Sequence, residues 1–225
     1  MFESTKELIN ELSKLIEITP KIDKAIRFAT RMHSEQYRHD KTPYANHPIR
    51  VAINLLKYKK SKEIEDLVCA ALLHDTLEDT VLNYYDIAEF FGEFVANIVK
   101  DVTNNYDYIN EIGKEKYLSI KLKSMTSYEL VIKLCDRLDN IMDLKNSSPE
   151  FIERTIKETI NIIDYVAKNR LSITDTQNKI IEEIIRIIEE YDKTNVYCDK
   201  IENIRRNLKA KIENQNILNR IKYKN

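Results

Sequence analysis

The sequence predicts an all-α fold, on three observations. Only two glycines and four prolines occur in 225 residues, far too few for the tight turns that a chain of β-hairpins needs. Leu, Ile, Lys and Glu are abundant, and apolar residues recur with the helical period along most of the chain. A chain of this length buries a real core in one domain, alone or with an appendage, and leaves no room for a second enzyme of ordinary size.

The elements follow in order. Helical periodicity covers residues 5–18, breaks at Pro20 and resumes over 22–33, where Ala25, Ile26, Ala29 and Met32 share one face. Residues 34–46 are charged, aperiodic and interrupted by Pro43, which predicts a loop. His47-Pro48 then opens a helix to about residue 56, since proline is tolerated in a first helical turn. A helix over 62–77 carries the densest apolar stretch and ends in the cluster His74-Asp75-Thr76-Leu77-Glu78-Asp79. Shorter amphipathic helices are expected at 84–91 and 93–102, an exposed loop at 103–113 and two more helices at 114–125 and 127–144. Asn146-Ser147-Ser148-Pro149 reads as a boundary, giving a domain over 1–146 and a helical extension over 147–225. Three long helices are expected in that extension, near 150–170, 177–192 and 199–221. Its stripe of Ile180, Ile181, Ile184, Ile185 and Ile188 needs cover, either from the domain or from a second copy of the chain in a homo-oligomer.

Charge and cysteine usage exclude several classes. Thirty-six basic and thirty-seven acidic residues leave a net charge of −1, without the broad basic field of a nucleic-acid binder. The longest unbroken apolar run, 67–73, is too short to span a bilayer, so no membrane association is expected. The expectation is a soluble cytoplasmic protein. Cys69, Cys135 and Cys198 are odd in number and lie in apolar or amphipathic helical sequence, which predicts buried thiols in a reducing compartment and no disulfide or zinc site.

Three elements carry chemistry. His74, Asp75, Glu78 and Asp79 fall at i, i+1, i+4 and i+5, on one broad helical face. Three carboxylates so close repel one another, so either the group reaches solvent as an ordinary helix end or a cation compensates it. Asp136 is embedded in Val131-Ile132-Lys133-Leu134-Cys135-Asp136-Arg137-Leu138; an ionised carboxylate there must be paired, with Lys133, Arg137 or another helix, or with a metal. His47 stands at a loop-to-helix junction. By itself it reads more readily as a structural histidine than as a ligand, but two imidazoles with two carboxylates form a nitrogen and oxygen set that suits manganese, iron or a similar ion.

The order His47-Pro48, then His74-Asp75-x-x-Glu78-Asp79, then Lys133-Leu-x-Asp136-Arg137-Leu resembles the HD-domain phosphohydrolases. Within them it is most similar to the hydrolase domain of RelA/SpoT proteins and the small alarmone hydrolases. His33, Gln36, Arg38, Pro43-Tyr44, residues 72–80, Phe91-Gly92 and residues 133–140 carry that similarity, over about 21–144. The resemblance implies an HD-domain helical bundle with an additional C-terminal helical segment. It implies Mn2+, or another divalent metal, held by His47, His74, Asp75 and Asp136, with Glu78 and Asp79 serving the hydrolytic water and proton transfer. Arg38, Tyr44 and Asn140 would contact the nucleotide substrate. The reaction implied is removal of pyrophosphate from the 3′ position of ppGpp or pppGpp. Two other readings remain open: an HD phosphohydrolase for another nucleotide (a deoxynucleotide, a cyclic dinucleotide or NADPH), and a helical module that senses a nucleotide without turnover, against which the intact Glu78 and Asp79 speak.

The chain departs from the family pattern twice. Where Arg-Lys-x-Gly is typical it has Arg38-His39-Asp40-Lys41, and Asp139 stands where histidine is common. These departures are expected to add negative charge and change loop geometry beside the base pocket. His33 reads as a structural residue and His39 as at most a minor substrate contact.

Overall fold

The computed structural model describes residues 5–192 and 194–222, so the first four and last three residues of the two expected domains lie outside it. Among the described residues there are thirteen α-helices and no strand; one isolated antiparallel bridge joins Tyr37 and Pro43. In chain order the helices are α1 (Thr5–Leu15), α2 (Pro20–Met32), α3 (Asn46–Tyr58), α4 (Ile64–Leu73), α5 (Thr76–Asp79), α6 (Tyr84–Phe91) and α7 (Glu93–Val102). They continue as α8 (Tyr106–Ile112), α9 (Lys114–Ser124), α10 (Ser127–Met142), α11 (Pro149–Asn169), α12 (Asp175–Tyr191) and α13 (Cys198–Lys222), with a 3-10 turn at Asp143–Asn146. The chain is all-α. No described helix is long and apolar enough to cross a membrane.

Two compact units share these helices. One holds the chain up to Asp107 together with Met125–Ser147; the other holds Tyr108–Ser124 together with Ser148 onward. The junction at 147/148 lies one residue past the boundary expected at 146, and the grouping of 108–124 with the later helices is a feature of the tertiary contacts alone.

In the first unit, α4 explains the arrangement. Leu67 to Leu73 are apolar on every side and none is exposed, so α4 must be surrounded, and α2, α3, α7 and α10 pack against it. Local signals start the neighbouring helices. Pro20 opens α2 rather than merely breaking α1, because a first-turn proline forfeits no helical hydrogen bond, and Thr19 Oγ1 caps Ile22 N at 3.3 Å. Asn83 with Asp86 and Thr126 with Glu129 form capping boxes on α6 and α10, each worth about 1 kcal/mol. Gly92 turns the chain between α6 and α7 at φ +90°, which a side chain would strain.

Two expectations are corrected. The single helix over 62–77 is two: α4 stops at Leu73, and Thr76 Oγ1 donates to the freed Leu73 carbonyl at 2.6 Å as one-turn α5 begins. The expected loop over 103–113 contains α8. Asn104 and Asn105 precede its first turn, where asparagine favours a helix start, and Gly113 closes it at φ +85°.

In the second unit α11 packs against α9 and α13, and α12 against α13. Ile180, Ile181, Ile184, Ile185 and Ile188 are wholly buried within the chain, so this stripe needs no second copy to cover it. Cys69 and Cys135 are buried and unbridged, and burial pushes the Cys69 thiol up to about 12. Cys198, expected to be buried, is exposed: it opens α13, one turn ahead of the buried Ile201, Ile204 and Leu208.

Candidate active site

Three helix segments of the first unit bring the expected ligands together. His47 lies in the first turn of α3, His74 and Asp75 occupy the break between α4 and α5, and Asp136 sits in the middle of α10. His47, His74 and Asp136 are buried, and one donor atom from each lies within 4.8 Å of the others. Asp75 completes the group from one side, with Oδ1 3.1 Å from His74 Nε2 and Oδ2 3.5 Å from His47 Nε2. Asp136 Oδ1 lies 3.5 Å from the same His47 nitrogen.

The tautomers of the two rings follow from their other nitrogens. His74 Nδ1 is 2.8 Å from the Ala71 carbonyl, which only accepts, so Nδ1 carries the proton and Nε2 of the neutral ring is a lone pair. That Nε2 is buried and has no hydrogen-bond partner among the described residues. A lone pair facing a carboxylate oxygen at 3.1 Å repels it, and a cation between them turns the repulsion into ligation. Protonated imidazoles serve in place of such a cation: burial works to raise the Asp75 carboxyl, but charged His74 and His47 outweigh it and hold it below the usual range. The His47 ring, whose own burial opposes charge, is pushed up to about 9 by Asp136 and Asp139, so a metal there must displace a proton.

Asp136 is paired with both cations of its own helix and also faces His47. Its Oδ2 is 3.1 Å from Lys133 Nζ and 3.3 Å from Arg137 Nη2, while Oδ1 faces His47 and accepts a hydrogen bond from Asn140 Nδ2 at 2.6 Å. Burial opposes its charge, and Arg137 and Lys133 more than restore it, keeping the carboxyl well below its ordinary value.

Glu78 and Asp79 stand on α5. Glu78 is gripped by the segment after α7: Asn104 N donates to Oε2 at 2.8 Å, and Tyr106 Oη and Asn104 Nδ2 donate to Oε1 at 2.7 and 3.3 Å. Asp79 is tied to the loop before α3, because Tyr44 Oη donates to Asp75 Oδ2 at 2.7 Å and reaches Asp79 Oδ2 at 3.2 Å. Partial burial and the neighbouring Asp75 and Glu78 carboxylates raise the Asp79 carboxyl. Buried His33 packs its ring 4.8 Å from that of Tyr44. Exposed His39 meets Ser147 Oγ at 2.6 Å.

Arg38 and Asn140 are joined to each other. Arg38 Nη2 donates to Asn140 Oδ1 at 3.0 Å, its Nε donates to Asp143 Oδ2 at 3.1 Å, and its guanidinium lies 5.9 Å from the Tyr44 ring centre. In the loop that carries Arg38, Lys41, at the family's glycine position, takes φ +68°, and Asp40 Oδ1 accepts from Thr42 N and Oγ1, so a non-glycine residue holds a left-handed turn there. The negative charge at 139 is likewise internal, because Asp139 is buried against His47 and Arg50.

Sequence reading missed Arg50, Asn104, Tyr106 and Asp139 as parts of this site. A signal existed for two of them: Arg50 is i+3 from His47 and Asp139 is i+3 from Asp136, so each shares a helical face with a candidate ligand. Asn104 and Tyr106 had none, being hidden in a segment read as an open loop.

A family model described as the HD domain matches residues 25–174. The chain belongs to the HD domain family. This HD-domain chain is 35% identical over 201 residues to the guanosine-3′,5′-bis(diphosphate) 3′-pyrophosphohydrolase of Aquifex aeolicus, covering 83% of itself and 27% of that protein. It is 34% identical over 147 residues to the protein of the same name, MESH1, of Xenopus tropicalis, covering 64% of itself and 81% of MESH1. Against the bifunctional (p)ppGpp synthase/hydrolase SpoT of Escherichia coli the identity is 30% over 187 residues, with 26% of SpoT covered. The chain thus spans about a quarter of the long relatives and most of the short one. A solved structure, described as a metazoan ortholog of SpoT that hydrolyzes ppGpp, superposes with a TM-score of 0.63 at 25% identity, covering 75% of this chain and 95% of that one.

Proposed function

We propose that this chain is a manganese-dependent hydrolase that removes the 3′-pyrophosphate of ppGpp and pppGpp, giving GDP or GTP and pyrophosphate. The observation that carries the chemistry is the buried, unpartnered Nε2 of His74 set against Asp75, with His47 and Asp136 beside it. His47, His74, Asp75 and Asp136 would hold the ion, and their mixed imidazole and carboxylate donors suit manganese among the hard-to-borderline divalent metals. A divalent ion bound there supplies Lewis acidity toward a phosphoryl oxygen and makes a water more acidic. The names of the Aquifex and MESH1 relatives support the substrate.

The chain's own groups divide the remaining work. The attacking water adds its oxygen to the phosphorus attached to the 3′-oxygen, and the bond from that phosphorus to the 3′-oxygen breaks. Glu78 accepts the proton lost by the water; its three hydrogen bonds from Asn104 and Tyr106 fix the direction from which it does so. Asp79, whose carboxyl is raised by burial and by Asp75 and Glu78, is the proton source for the departing 3′-oxygen. Arg38, Tyr44 and Asn140 line the nucleotide side, where Arg38 exchanges its bonds to Asn140 and Asp143 for substrate. The chain's place of action in this reading is the cytoplasm.

The test is product analysis by chromatography after incubation with Mn2+ and, in parallel, ppGpp, NADPH, a deoxynucleoside triphosphate and a cyclic dinucleotide. GDP and pyrophosphate from ppGpp are the expected products. Intact ppGpp beside a consumed competitor overturns the substrate, and no turnover of any of them overturns the enzymatic reading.

A further inference from the structure

Asp139 is a fully buried carboxylate to which the reaction assigns no task. Its Oδ2 lies 2.6 Å from His47 Nδ1. Its Oδ1 accepts from Arg50 Nε at 2.8 Å, and Oδ2 accepts from Arg50 Nη2 at 3.1 Å, a two-pronged grip that fixes the plane of the carboxylate. The i+3 spacings place each pair on one face of its helix, His47 with Arg50 on α3 and Asp136 with Asp139 on α10, and these two helices pack together. The bridge is therefore built across the α3–α10 contact, with Asp139 0% exposed.

We propose that Asp139, clamped by Arg50, is a positioning residue that holds the proton of His47 on Nδ1 and so presents Nε2 to a divalent cation shared with His74 and Asp136. This rests on the metal reading given above. An ionised carboxylate only accepts hydrogen bonds, so the nitrogen facing Asp139 carries the hydrogen and the opposite nitrogen is the one available as a ligand. The anion also makes the imidazole a stronger donor to a metal, and Arg50 keeps Asp139 from turning toward the cation itself. In this chain a carboxylate and an arginine thus do together, across two helices, what the Ala71 carbonyl does for His74.

The test titrates Mn2+ alone into the metal-free full chain by calorimetry, for the parent, Asp139→Asn, Arg50→Gln and His74→Ala. Asp139→Asn is expected to weaken Mn2+ binding roughly 10- to 100-fold, and Arg50→Gln by less, because Asp139 still reaches His47. Hydrolysis lost by Asp139→Asn at low Mn2+ should return at high Mn2+, which a general loss of structure would not allow. In proton NMR the His47 Nδ1 hydrogen should resonate far downfield in the parent and move upfield in Asp139→Asn. Should that variant fail to fold, the double variant Asp139→Asn with Arg50→Gln removes both charges together, and its Mn2+ affinity is read in the same way. Parent-like Mn2+ binding by Asp139→Asn, with His74→Ala unable to bind, overturns the positioning role and leaves the metal reading standing. A parent chain that binds no Mn2+ takes both down.

Discussion

The floor of the site and its rim are built differently. The floor, His47, His74, Asp75 and Asp136, is carried at helix ends and in a helix middle, around the apolar α4. Its side chains are largely buried and aimed at one another, and His74 Nε2 among them has no hydrogen-bond partner among the described residues. The rim hangs on the loop before α3 for Arg38 and Tyr44, on one-turn α5 for Glu78 and Asp79, and on the last turn of α10 for Asn140, and its side chains are occupied by internal bonds: Arg38 with Asn140 and Asp143, Glu78 with Asn104 and Tyr106. A floor with unmet electrostatic demand is preorganised for a cation. A rim with its bonds already made must exchange partners, so under the proposed function its residues would tune substrate binding and proton transfer rather than determine whether the site exists.

That contrast breaks most sharply at His74. Replacing His74 by alanine is expected to remove bound metal by elemental analysis and to take ppGpp hydrolysis below detection; a metal-replete, active variant would erase the distinction. Glu78→Gln should keep the metal and lower kcat roughly 10²- to 10⁴-fold, the range of a lost general base. An unchanged kcat would move that role elsewhere on the rim. Arg38→Ala should raise the KM for ppGpp about tenfold with kcat little altered, the pattern of a contact equally strong in ground and transition states. Tyr106→Phe deletes one of three bonds to Glu78 and should lower kcat by less than about tenfold, since the two Asn104 bonds remain. Smallest of all, Lys41→Gly should raise the melting temperature, relieving a left-handed residue by under about 1 kcal/mol once the added chain entropy of glycine is subtracted.

The two regions also differ in how far the sequence discloses them. Three of the four floor residues are readable because they sit in short motifs whose chemistry is anomalous on the spot: a carboxylate inside an apolar run at 136, an imidazole and a carboxylate closing another at 74–75; His47 is picked out only beside them and by the family resemblance. Asp139 and Arg50 carry no such anomaly. Each looks like an ordinary charged helical residue until α3 and α10 pack and bring positions 89 residues apart within 2.8 Å. The grip on Glu78 was hidden for another reason, since asparagines and tyrosines after a helix read as an exposed loop, and nothing local reveals that Asn104 and Tyr106 turn back toward α5.

By itself, the sequence determined the all-helical class, most helix starts and three of the residues that meet at the floor, His74, Asp75 and Asp136. Those follow from short-range physics: the helical period, capping side chains, and the cost of leaving a charge among apolar neighbours. Only the tertiary structure decided where the apolar helix breaks to free His74 and Asp75, which residues after position 102 hold Glu78, and that Asp139 faces His47 rather than solvent. These depend on pairings between distant helices, whose partners no local pattern names, and the direction in which a side chain points is settled only when the opposing helix supplies its partner.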